Sequence, residues 1–156
     1  MATAQQTSAK GAAAASSAGG APASNPMLQN AQQFKDAARA LTACANAFAD
    51  RRDALLHSGD ITPTAALAST HDENMLRQQA IMMTAKSVAI VFDTTALAQA
   101  DLEQAIKDAK DKLAQAAAFE TALKFLASLI GLGGAILSGQ PMTILSAIDG
   151  LKKAVA

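Results

Sequence analysis

The sequence predicts an all-α fold: a compact helical bundle of about four to five helices over residues 25–156, preceded by a disordered tail over residues 1–24. Three observations predict it. Apolar residues recur at alternating steps of three and four along most of the chain, which is the period of a helix packed on one side. Hydrophobic residues make up 51% of the chain but aromatics only 3%, with no Trp and no Tyr, so the apolar content is largely alanine. Alanine is the best helix former and buries little area, which predicts helices packed closely around a narrow core. Finally, proline, glycine and Thr/Asn stand at spacings that start and stop helices.

Charge and cysteine content narrow the classes of function. The 13 basic and 13 acidic residues cancel, and no basic block is present, so the chain lacks the electrostatic footprint of a nucleic-acid binder. A single cysteine excludes an intrachain disulfide. The opening MATAQQTSAK has no apolar run, which predicts a cytoplasmic protein or one exported without a cleavable signal peptide.

Residues 1–24 are alanine, serine, glycine, threonine and glutamine with Lys10 as the only charge, a composition that cannot offset its own ordering entropy. Asn25-Pro26 then reads as a cap followed by proline at the first helical position. The stripe Met27, Ala31, Phe34, Ala38, Leu41, Ala45 and Phe48 defines the first helix, with Arg51, Arg52 and His57 in its last turns and Gly59 as its stop. Thr62-Pro63 predicts a short helical segment through Leu67. Thr70 followed by Glu73 reads as a capping box opening a separate helix through Leu76, Ala80, Met83 and residues 88–92. Residues 93–95 are either a new cap or a polar turn. A further helix spans residues 96–118, buried along Ala98, Leu102, Ala105, Ile106, Ala109, Leu113 and Ala116. The pairs Glu103–Lys107 and Asp108–Lys112 are in the favourable acid-first order.

No residue from Phe125 to Ile148 is charged. A helix over residues 119–137 is expected, then a break at Gly139-Gln140-Pro141 and a shorter helix over residues 142–155 with Ile144, Ile148 and Leu151 on one face. Gly131, Ala135 and Gly139 fall four apart, a spacing that lets helix backbones approach. The favoured reading is a central core helix closed over by the last one. The rival is a membrane-active hairpin, weakened because each arm falls short of the 20 or so apolar residues a span requires. The candidate residues for contact with a membrane or with another protein chain are Phe125, Leu129, Ile130, Gly131, Gly134, Ala135, Ile136 and Leu137.

Chemistry is not expected. His57 and His71 are the only imidazoles, and they lack the spacing of a zinc site. Asp72 and Glu73 are explained by the first turn of a helix, and Cys44 lies on the apolar stripe of the first helix. Gly131-Leu132-Gly133-Gly134 lacks the Lys-Ser/Thr of a phosphate loop, and Ser128, Ser138 and Ser146 have no nucleophile elbow around them. Met75 and the Met82-Met83 pair suit either an adaptable binding face or a core gap. No catalytic residue, metal or cofactor is assigned.

The alanine usage and small-residue tail resemble small helical proteins of high-GC Gram-negative bacteria. The apolar hairpin is similar in texture to pore-forming or translocator-type secreted proteins, and residues 96–118 resemble granule-coating phasins. The expectation that follows is a non-catalytic protein working through protein–protein contacts. It would be a monomer or weak homo-oligomer, with membrane activity as the alternative.

Overall fold

The computed structural model describes residues 26–86, 89–92 and 98–156. The expectations for residues 1–24, Asn25, Val88 and residues 93–95 lie outside the described residues. Among the described residues there are five helices: α1 (Ala31–His57), α2 (Pro63–Thr84), α3 (Gln99–Ala114), α4 (Phe119–Ser138) and α5 (Pro141–Val155). Around the molecule α1 packs on α2, α2 on α4, α4 on α5, α5 on α3, and α3 back on α1. Helix α4 also touches α1 and α3, so it packs on all four others. The all-α bundle is therefore as expected, with the apolar C-terminal segment at its centre.

Helix α1 begins later than the Asn25-Pro26 signature implies. Its cap is Asn30, whose Oδ1 accepts from the Gln33 amide at 2.9 Å. The preceding residues turn instead. Leu28 has φ 59°, its N–H donates to Gln99 Oε1 at 3.0 Å, and its carbonyl accepts from the Ile90 amide at 3.1 Å. Met27 and Leu28 are fully buried, so they join the core from an irregular segment rather than from the helix stripe. Phe34, Ala38, Leu41, Ala45 and Phe48 are buried as the periodicity predicts.

The largest correction concerns α2. Thr62 caps it, accepting from the Ala65 amide at 3.1 Å, and the helix runs unbroken through Thr70. The Thr70 hydroxyl donates back to the Ala66 carbonyl at 3.3 Å, so the expected capping box does not form. A Thr-x-x-Glu pattern marks a helix start only where the chain is free to turn; here the preceding turn is already helical and packed. The helix also stops at Thr84, and residues 89–92 are not helical.

Helix α3 ends at Ala114, short of the expected residue 118, but all seven residues of the predicted stripe are buried, Ala98 and Ala116 from just outside the helix. Neither acid-first pair forms in it; Lys107 reaches forward to Asp111 at 3.0 Å instead. Helix α4 ends at Gly139, whose φ of 73° is the left-handed conformation a C-terminal stop needs. Pro141 then sits in the first turn of α5, and Ile144, Ile148 and Leu151 are buried beneath it.

Candidate functional site

The polar clusters of the interior hold the fold together. Glu73, expected to be a dipole-placed carboxylate in a first turn, lies in mid-helix and is buried. It pairs with Arg52 of α1 and with Arg77 one turn along α2 at 2.9 Å. Arg77 extends the network to Asn46 Oδ1 at 2.7 Å, and the Arg52 guanidinium lies 6.0 Å from the Phe48 ring centroid. Burial works to lower the Arg52 pKa, but hydrogen bonding and charge attraction from Glu73, with Asp53 adding, hold it above its ordinary value. Arg51 donates to the Ala116 carbonyl at 2.6 Å, tying α1 to the turn after α3. Both arginines thus bind named groups on other elements rather than the helix dipole.

His57 and His71 are exposed, and no three His, Cys, Asp or Glu side chains converge on a metal position among the described residues. Cys44 is fully buried, and burial pushes its thiol up to about 12, with Lys110 lowering and Asp111 raising it. Its Sγ lies 3.6 Å from the Ile106 carbonyl. The Ser138 hydroxyl donates to the Ala135 carbonyl at 2.6 Å and has no base beside it.

The eight residues expected to meet a membrane or partner divide between core and surface. Phe125, Leu129, Ala135 and Ile136 are buried, while Ile130, Gly134 and Leu137 are half-buried. Gly131 alone is exposed. Helix α4 is therefore not apolar on every side, and its outward positions Thr121, Lys124, Ala127, Gly131 and Ser138 are small or polar. A Cβ at Gly131 would touch nothing, and Gly139 serves as a stop, so close helix approach does not explain their spacing. The crowded position is Gly133, where a Cβ would require the side-chain amide of Gln79 from α2 to shift. Between α4 and α5 lies an open groove of about 690 Å³ walled largely by small residues, among them Ser128, Gly131, Ser146 and Gly150.

Four of the six large hydrophobic side chains exposed among the described residues lie elsewhere, on α2. Leu67 is 75% exposed, Ile81 68%, Met82 58% and Met75 38%. At 100° per residue these four share one face with His71, Asn74 and Gln78, all exposed, and none of the seven is Asp, Glu, Lys or Arg. The face runs about 22 Å from Leu67 to Met82 at the rise of an α-helix. Its opposite side carries Ala66, Ser69, Glu73, Leu76, Ala80 and Met83 into the core. Sequence reasoning missed this face because it divided α2 at Thr70. Once Leu67 and Met75 belong to one helix, their spacing and that of Met82 reveal the stripe. Of the paired methionines, Met83 fills the core and Met82 faces out.

Comparison with protein-family models, with curated proteins and with solved structures gives no match.

Proposed function

We propose that this chain is a non-catalytic helical protein that works through protein–protein contact, with the outward face of α2 as its contact surface. The observation that carries this reading is the exposure of Leu67, Met75, Ile81 and Met82 on a single face bearing no formal charge. Contiguous apolar surface rimmed by polar groups is characteristic of binding sites, and methionine adapts its shape to a partner at small cost. The rest of the surface offers contrast. Helix α3 turns Asp101, Lys107, Asp108 and Lys112 to solvent, a salted face suited to remaining wet.

The test is a photo-crosslinking residue placed at Gln78, at the centre of the α2 face, compared with one at Gln104 on α3. The reading expects discrete adducts from Gln78 alone, lost in a Leu67→Glu/Met82→Glu double variant whose helical circular dichroism is unchanged. Equal labelling from both positions, or adducts that survive the double variant, would sink it.

A membrane-active role is the second reading, and one feature favours it. Helix α4 is long and apolar enough to cross a bilayer by length and composition, with 44% of its most apolar window buried. Flotation of the folded protein with neutral and anionic liposomes at pH 7 and pH 5 separates the two. Binding lost on deleting residues 125–148 supports insertion, and a folded protein that stays unbound removes it.

A further inference from the structure

Where the N-terminal half of α1 crosses the last turns of α2, the two helices leave a groove of about 340 Å³. Ala38 and Ala80, each 2% exposed, line its bottom, and their short side chains make it concave. One lip carries Lys35 and Arg39, a turn apart on α1. The other carries Ile81 and Thr84 of α2. Ile81 also belongs to the uncharged α2 face, so groove and face form one continuous surface.

The charges of the lip are only partly neutralised. Arg39 reaches Asp36 at 3.1 Å while its side chain stays 74% exposed, and Asp36 also accepts from Gln32 at 2.9 Å. Lys35 is exposed and has no carboxylate at ion-pairing distance among the described residues. An occupant must therefore bring apolar side chains for Ile81 and the alanine floor, and carboxylates for Lys35 and Arg39. A flat lipid surface could meet the cations but could not reach the floor between the helices.

We propose that this groove docks an acidic amphipathic segment of a protein partner, with its apolar side chains seated on Ala38, Ala80 and Ile81 and its carboxylates against Lys35 and Arg39. This rests on the reading of the chain as a protein-binding bundle, and it adds the chemistry of the partner. Complementary charge around an apolar contact steers encounter and sets specificity more than it sets affinity.

The probe is a fluorescent helical peptide of about three turns with leucines on one face and glutamates flanking them, compared with its twin in which lysine replaces glutamate. Added to the full chain, the acidic peptide is expected to raise anisotropy and to shift the amide resonances of Lys35, Ala38, Arg39, Ile81 and Thr84. Reversing the lip with Lys35→Glu/Arg39→Glu is expected to weaken the acidic peptide by about tenfold or more and to favour the lysine twin. Ile81→Glu is expected to abolish binding of either. Three results overturn the assignment: equal affinity for the two peptides, shifts that map away from the groove, or anionic vesicles competing through the same two cations. If Gln78 adducts persist in the lip-reversed variant while the peptide preference is absent, the groove assignment fails and the α2 contact face stands.

Discussion

Glu73 is buried and holds together two arginines from different helices, and removing it leaves the half-buried Arg52 with no carboxylate at hand other than the exposed Asp53 among the described residues. Loss of one partner from a buried ion pair costs about 3 kcal/mol, mostly the penalty of stranding the other charge. Glu73→Ala should therefore lower the unfolding free energy by that amount, read as a lower urea midpoint with an unchanged slope. Asp72→Ala, one residue along, should have little effect. Cys44 makes the opposite prediction, one of inertness. With its thiol pushed up to about 12 by burial, it should resist alkylation at pH 8 in the native protein and react at once in urea. The sign of its pH dependence follows from the unfolded value of about 8.5. The contribution of the protonated thiol to stability is complete below that value and is lost as pH rises from there toward 12, where the folded thiol ionises. Denaturant midpoints measured between pH 8 and pH 10.5 should fall in the native sequence and fall less in Cys44→Ala.

At the scale of the element, the punctuation of α2 decides which residues share a face. Thr62 caps the helix through Ala65, whereas Thr70 donates within it. Thr62→Ala should cost about 1 kcal/mol, and Thr70→Ala should be close to neutral, because only one of the two satisfies an orphan amide. Equal losses would mean that the helix starts twice. Helix α4 offers a complementary test. Gly131 is helical, exposed and free of neighbours, so Gly131→Ala should stabilise by about 0.5–1 kcal/mol through the unfolded chain. The same change at Gly133 meets Gln79 and should gain less or lose. Much of this was legible in the primary structure. The stripes of α1, α3 and α5 were readable because each follows one period between clear signals. The division of α2 was misread because Thr70 and Glu73 mimic a start, while the true duty of Glu73 depends on Arg52, 21 residues away. The sorting of the α4 residues into core and surface was not legible for a related reason: an uncharged run does not show which of its positions face neighbours until the neighbours are placed.

At the scale of the whole molecule, the ring of helices gives α4 four neighbours, which is why the most apolar segment also organises the rest. The contact surface proposed on α2 and the groove beside it lie on the part of the ring built by α1 and α2, while α3 turns Asp101, Lys107, Asp108 and Lys112 to water. The same ring is closed near the start of α1 by a small knot of hydrogen bonds. Gln29 donates to the Ile90 carbonyl at 2.7 Å, Gln99 donates to the Gln33 carbonyl at 3.0 Å, and Pro26 pairs with Ala98. These bonds span some 60 to 70 residues of chain and fasten Met27 and Leu28 beneath the link between α2 and α3. Secondary structure alone would put the edge of the folded unit at Ala31, but its thermodynamic edge lies upstream. A fragment trimmed to begin at Ala31 should melt well below one beginning at Asn25, even though every helix is intact in both, because trimming removes two core side chains together with the latch that seats Ile90.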